Sequence, residues 1–262
     1  MEVVIVDSPD AGGDLVAGAV AALLARAPAA VLGVATGSSP LPVYRELARR
    51  HRDEGLSFAR ARAFLLDEYV GLPHRHPQSY RAFIAAELEA HVDLPDGAVH
   101  GPDVSGTGPE LVDACAAYED EIAAAGGVDL QLLGIGRDGH IGFNEPGSSL
   151  GSRTRLKTLN EQTRRDNARF FGSAEAVPRH VVTQGIGTIL EARHLILVAF
   201  GTAKARALAA AVEGPLTAMV PASALQLHPH ATIVIDDGAA AQLKLARYYR
   251  ETWAAKPPWQ AL

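Results

Sequence analysis

Cysteine is almost missing from this chain of 262 residues, where Cys115 stands alone. An intrachain disulfide is therefore excluded, and without a CxxC pair so is a zinc site built on paired thiolates. A lone thiol suits a reducing cytoplasm. Positive charge is also scarce relative to negative, 24 Lys+Arg against 30 Asp+Glu, for a formal net charge of -6. That balance argues against sequence-independent nucleic-acid binding, which needs a basic stripe, and leaves any anion to a few local cations. No run of about 18 apolar residues occurs, so no membrane span is expected. The N-terminus MEVVIVDSPD enters an apolar run directly, without the basic region, long apolar segment and cleavage site of a secretory leader. Linkers, low-complexity stretches beyond short alanine runs, and repeats with a period of about 20 to 50 residues are lacking too. With 48% apolar residues, a single domain over 1–262 is the expectation.

What is present is an alternation. Short apolar runs at Val3 to Val6, Val31 to Ala35, Phe64 to Leu66, Leu130 to Leu133, Leu195 to Phe200 and Thr232 to Ile235 have the character of strands buried on both faces. Helical stretches lie between them, for example Pro9 to Arg26, where Ser8 can cap and Pro9 can occupy the first turn. Alternating strand and helix predicts an α/β fold with a mostly parallel sheet. From Ser152 to His180 the rhythm breaks into a polar, arginine-rich stretch, expected as an irregular insertion over one end of the sheet that could serve as a lid.

Ligands of open parallel sheets bind at the carboxyl ends of the strands. The segments just past the strands are Thr36-Gly-Ser-Ser-Pro40, Asp67-Glu-Tyr, GIGRDGHIGFNEPG and Gly201-Thr-Ala-Lys204, all polar, flexible or charged. Gly134 to Gly139 fits the Gly-x-Gly-x-x-Gly dinucleotide fingerprint, but the proline and glycines that follow prevent a long helix, and Arg155-Leu-Lys157 stands where an acidic ribose ligand belongs. No nicotinamide or flavin is expected. The same loop holds Asp138, His140 and Glu145, an acid-base combination in which a carboxylate fixes the histidine tautomer. By residue type alone it fits a polar surface turn equally well, and one histidine with two carboxylates is weak support for a metal. Asp67 is expected at the mouth of the sheet, with Glu68 an equal candidate. The turn at Gly37, Ser38 and Ser39 can aim backbone N–H groups at an anion, although it lacks the Gly-Lys-Ser/Thr of a Walker loop. Lys204, a cation in the first turn of a helix, opposes the helix dipole and so implies an anion nearby. His228-Pro-His230 has no adjacent carboxylate or cysteine and is expected to be structural.

The strings LLDEYVGLPHRHPQSY, LLGIGRDGHIGFNEPGSSLGSRTRLKTLN, NARFF and LQLHPHATIVID resemble the signatures of the glucosamine-6-phosphate deaminase family, in the family's order, from about Val31 to Tyr249. The resemblance implies a modified doubly wound (Rossmann-like) fold with a mostly parallel sheet, helices on both faces and a lid at about 158–181. It also implies a cofactor-free conversion of glucosamine 6-phosphate and water to fructose 6-phosphate and ammonia. By position, Asp67 becomes the base that moves a proton between C2 and C1, and His140 the promoter of ring opening, with Asp138 and Glu145 orienting it. The Gly37 to Ser39 turn, Arg169 and Lys204 become the phosphate site. The chemistry is coherent: an aldose-ketose proton transfer needs a carboxylate, and ring opening needs a separate proton shuttle. Neither a metal nor a cofactor is implied.

Two rivals stand beside this reading. 6-Phosphogluconolactonases resemble the Gly-x-Gly-x-Asp-Gly-His pattern, but the continuation Phe143-Asn-Glu-Pro146 favours the deaminase. A non-catalytic sugar-phosphate-sensing domain would have no reason to keep Asp67 with the whole cluster. The resemblance further implies, for some members, a hexamer activated by N-acetylglucosamine 6-phosphate at a subunit interface, with Ser149, Arg155, Lys157 and Tyr248 matching that second site; otherwise a monomer or small oligomer follows. Expected partners are therefore a small amino-sugar phosphate and copies of the chain, with no nucleic acid or membrane.

Overall fold

The computed structural model describes residues 1–73, 76–257, 259–260 and 262. His74 and Arg75 of the first family string lie outside the described residues, as do Pro258 and Ala261 of the tail. The first half runs β1 (Glu2–Val6), α1 (Pro9–Arg26), β2 (Val31–Val34), α2 (Leu41–Glu54), β3 (Arg62–Leu65), β4 (Asp67–Tyr69), α3 (Tyr80–Glu87), β5 (Val99–His100) and α4 (Pro109–Ala124). The second continues β6 (Leu130–Leu133), β7 (Arg155–Thr158), α5 (Glu161–Phe171), β8 (His180–Thr183), α6 (Ile186–Leu190) and β9 (Leu195–Ala199). It ends with α7 (Ala205–Val212), β10 (Ala231–Asp236), α8 (Asp237–Ala240) and α9 (Ala246–Ala254). Ser8 caps α1 as expected, its hydroxyl oxygen accepting the Ala11 N–H at 3.1 Å, with Pro9 at the first position where its missing donor costs nothing.

Seven strands form one sheet in the order β1-β10-β9-β6-β2-β3-β5, and every pairing is parallel. β2, β6 and β9 are buried along their whole length, which explains their unbroken apolar runs. From β2 the chain builds outward through β3 to β5; it then returns to β6 beside β2 and builds the other way through β9 to β10. The loops leaving β2 and β6 consequently diverge, and the crevice between them is the switch point at which such sheets bind ligands. No helix among the described residues is long and apolar enough to cross a membrane.

The stretch from Ser152 to His180 is more ordered than its composition predicts. It contains β7 and the eleven-residue α5, and β7 joins an antiparallel sheet of order β4-β8-β7. Helical periodicity is invisible there because only Thr163 of α5 is buried, so no apolar stripe marks the helix. Order comes instead from polar ties: Asn160 caps the helix through the Thr163 N–H at 2.8 Å, and Arg164 donates to the Ala174 carbonyl at 2.6 Å.

His228 and His230 are structural and lie at the opposite end of the sheet from the crevice. His230 stacks on His194 with ring centroids 3.6 Å apart and planes 5° from parallel, while His228 Nε2 bonds the Ala192 carbonyl at 2.7 Å. Burial lowers His194 to about 3, with the charges of His230, His228, Arg26 and Lys256 acting in the same sense. A base depressed from 6.5 in the unfolded chain to about 3 in the fold contributes stability above pH 6.5 that is lost as pH falls toward 3. The denaturation midpoint should drop across that window by an amount worth on the order of a few kcal/mol, and His194→Gln should flatten it. An unchanged slope in the variant would remove His194 as the cause.

Candidate active site

The crevice opens into a cleft of about 280 Å³ lined from the loops after β2, β3, β6 and β9 and from α5. Gly37, Ser38, Ser39, Asp67, His140, Arg169 and Lys204, all singled out from the sequence, line it together. The wall at Gly37 to Ser39 is set by Tyr44 of α2, whose hydroxyl donates to the Ala35 carbonyl at 2.6 Å and accepts the Ala35 N–H at 3.0 Å. This pins the end of β2, from which the small-residue turn Gly37 to Ser39 runs along the cleft wall, where its backbone N–H groups can meet an anion.

Opposite that turn stands a group of cations. Lys204 donates to the Ile135 carbonyl at 2.6 Å, tying the loop after β9 to the loop after β6. Its pKa is lowered by burial and then by the nearby charges of Arg137 and Arg169. Arg137 was missed in the sequence, where it stood as a variable position inside a glycine motif; the signal available was an arginine beside a strand end. Arg169 projects from α5 with its guanidinium over the Phe170 ring, 4.6 Å from the centroid. Three cations at one place repel each other, and a multiply charged anion would relieve that repulsion.

The structure separates Asp67 from Glu68. Both are buried, each 6% exposed. On β4 successive side chains point to opposite sides. Glu68 turns to the start of α3, accepting the N–H groups of Tyr69 (2.8 Å), Tyr80 (3.0 Å) and Arg81 (2.9 Å), so it is occupied as a cap. Asp67 lines the cleft, and no side-chain hydrogen bond holds its carboxylate among the described residues. Burial, reinforced by the charge of Glu68, raises its pKa well above the usual carboxylate range. A carboxyl raised this way holds a proton more firmly than an ordinary aspartate, which suits it to accept and return one.

His140 and Asp138 form a second centre. His140 Nδ1 lies 2.7 Å from Asp138 Oδ1, and the same oxygen accepts the His140 N–H at 3.2 Å. The ring nitrogen is not ideally aligned, yet at that separation the side-chain contact acts on Asp138 more strongly than charge alone. Burial alone would raise the Asp138 carboxyl; His140 outweighs it and holds the carboxyl below its ordinary value. Two glycines of the motif are explained by contact. A Cβ at Gly136 would fall 2.2 Å from the His140 ring, and Gly142, with φ of 55°, would place one 2.9 Å from Thr183 Oγ1 and 3.4 Å from Asp67 Oδ2. The loop therefore passes close beneath both acid-base centres, and only glycine leaves room.

Glu145 departs from the expectation that it orients His140. No hydrogen bond or ion pair joins the two; Glu145 instead accepts from Asn160 Nδ2 at 2.7 Å and from the Thr163 hydroxyl, fastening the first turn of α5 to the loop. The physical reason is that Glu145, following the tight bend at Ile141 to Asn144, is taken up by donors of α5 and its cap, behind Thr163 of the cleft lining. Of the residues matched to the second site, Tyr248 lies apart from Arg155 and Lys157 within one chain. Arg155 and Lys157 share one side of β7 in the small sheet, whereas Tyr248 is exposed on α9, which packs on β1 at the far edge of the large sheet. No group of three or more His, Cys, Asp or Glu side chains is arranged to hold a metal among the described residues.

A protein-family model described as glucosamine-6-phosphate isomerases/6-phosphogluconolactonase matches residues 9–234. The protein named glucosamine-6-phosphate deaminase in Arthrobacter sp. (strain FB24) is 61% identical over 262 residues, and its namesake in Streptomyces avermitilis is 62% identical over 263 residues, each with full coverage of both chains. A solved structure of a monomeric glucosamine-6-phosphate deaminase aligns with a TM-score of 0.89 at 41% identity, over 92% of this chain and 100% of that one. The 6-phosphogluconolactonase of Trypanosoma brucei aligns with a TM-score of 0.74 at 20% identity, over 92% of this chain and 98% of that one, and shares the fold.

Proposed function

The chain belongs to the family of glucosamine-6-phosphate isomerases and 6-phosphogluconolactonases, and on that premise we propose that it converts glucosamine 6-phosphate and water to fructose 6-phosphate and ammonia. The observation that carries this reading is the polarity of the cleft. Asp67, a buried carboxyl without a hydrogen-bond partner among the described residues, shares one chamber with three cations and a turn of N–H groups. The phosphate occupies the cationic side at Gly37 to Ser39, Arg169, Lys204 and Arg137. Anchored there, the opened sugar presents C1 and C2 to Asp67, and the entropy of holding a flexible chain is met by phosphate binding remote from the reacting carbons.

Ring opening requires a proton shuttle between the ring oxygen and the C1 hydroxyl, which His140 supplies with Asp138 setting its charge. Asp67 then removes the C2 proton and delivers it to C1. The amine-bearing carbon becomes an imine, and water hydrolyses it to the ketone with release of ammonia. α5 acts as a lid that brings Arg169 to the phosphate, and Glu145 is the hinge-side tie through Asn160 and Thr163. The family model covers the lactonases as well, but the relatives at about 60% identity and the structure at 41% are deaminases, whereas the lactonase structures share the fold at about one-fifth identity. The 41%-identical neighbour, a monomeric deaminase, supports a monomer. A phosphorylated sugar as substrate supports a cytoplasmic location.

One assay tests this. The purified protein should release ammonia from glucosamine 6-phosphate with a hyperbolic rate curve unchanged by N-acetylglucosamine 6-phosphate, and should leave 6-phosphogluconolactone at its spontaneous rate. Lactone hydrolysis without ammonia release would replace the deaminase by the lactonase, and galactosamine 6-phosphate in a parallel arm defines selectivity at C4.

A further inference from the structure

Three side chains of the cleft have no part in the scheme above: Tyr69 of β4, Tyr80 of α3 and Asn167 of α5. Their polar atoms meet at one point. The Tyr80 hydroxyl donates to the Tyr69 oxygen at 3.2 Å, and Asn167 Nδ2 donates to the same oxygen at 3.0 Å. Aromatic packing fixes the geometry: the two rings lie 4.9 Å apart, and Phe171 meets Tyr69 edge-on at 5.3 Å. Burial pushes the Tyr69 hydroxyl up to about 12 and Tyr80 well above its ordinary value, so both keep their protons at neutral pH.

A count of protons then leaves one over. Two hydroxyls carry two protons, one proton is consumed in the bond between them, and Asn167 contributes a donor rather than an acceptor. Whichever tyrosine donates to the other, the remaining O–H has no acceptor among the described residues, although both side chains line the cleft. On the wall of a cleft such an O–H bonds solvent until a ligand displaces it, so it is free to turn to an acceptor that arrives with the ligand. The rings stand close enough to Asp67 to feel its charge. With Asp67 working at C1 and C2, the first oxygen on the way to the phosphate is the C3 hydroxyl.

We propose that the Tyr69–Tyr80 pair is a specificity-determining donor to the C3 hydroxyl of the sugar phosphate, held in place by Asn167 as a positioning residue on the lid helix. This rests on the deaminase reading. Because Asn167 and Arg169 belong to one helix, the motion that brings a cation to the phosphate also sets the direction of the tyrosine donor. Recognition of the two ends of the substrate is thereby coupled.

The test measures kcat/KM for ammonia release from glucosamine 6-phosphate and from its 3-deoxy analogue. The wild type should prefer the natural substrate by at least about tenfold, as sites built to hydrogen-bond a hydroxyl reject analogues lacking it. Tyr69→Phe/Tyr80→Phe removes both hydroxyls and should bring the ratio to within about twofold of unity. Asn167→Asp does the same with both tyrosines in place. A carboxylate only accepts, so Tyr80 donates to Tyr69, Tyr69 donates to the introduced carboxylate, and no proton remains for the substrate. Each ratio is internal to one variant, so a general loss of rate does not enter it. Retention of the wild-type ratio in a folded double variant or in Asn167→Asp overturns the proposal while leaving the reaction standing. Absence of ammonia release by the wild type overturns the reaction itself.

Discussion

Asp67→Asn is expected to lower kcat for ammonia release from glucosamine 6-phosphate by about 10²- to 10⁴-fold, the range that a positioned general base contributes. KM should change little. The carboxamide matches the carboxylate in size but cannot accept the C2 proton, so binding through the phosphate survives while the chemical step does not. Stability provides the control. Asp67 is buried without a side-chain hydrogen bond, and burial disfavours its charged form, so the neutral amide should leave the melting temperature equal or higher. The raised pKa also fixes the sign of the pH dependence. The base works ionised, so the wild-type rate should fall on the acid side at a pH above that of an ordinary aspartate. A folded variant with kcat within tenfold of wild type would show that Asp67 is not the base.

Why Asp67 and not Glu68 is a matter of pleat direction, which one sequence does not reveal. The long strands were legible because burial on both faces leaves nothing but apolar residues, as in Leu195–Ala199. The small sheet was not, since β4 is Asp-Glu-Tyr and β7 is Arg-Leu-Lys-Thr, polar segments that become strands through their pairing with β8. Convergence of the loops was legible too, because parallel topology forces them to one edge. Side-chain destinations were not: Glu145 sits five residues from His140 yet reaches α5, and Arg137 looked like filler between glycines yet faces the cleft. Tyr80 and Asn167 are far from Tyr69 and from each other in sequence, and only the folding of α5 over β4 gives them a shared oxygen.

Lys204→Ala should raise KM for glucosamine 6-phosphate by roughly 30- to 1000-fold with a much smaller change in kcat, corresponding to about 2–4 kcal/mol for deleting one partner of a partly desolvated charge pair. The split follows from distance along the substrate. A phosphate contact at C6 is made equally before and during proton transfer at C1 and C2, so it contributes uniform binding. The free enzyme bears a cost that the ligand relieves: Lys204 is destabilised as a cation by burial and by Arg137 and Arg169. Relief of that repulsion offsets the lost bond to the Ile135 carbonyl, so the melting temperature of the unliganded variant should change little, which separates a binding defect from a folding defect. The same repulsion sets an alkaline limit. Lys204 loses its proton at a lower pH than an ordinary lysine, so inhibition by inorganic phosphate should weaken as pH rises through that lowered value, and the weakening should vanish in the variant. If KM is unchanged, or if kcat carries the whole loss, Lys204 does not hold the phosphate and the polarity of the cleft must be reassigned.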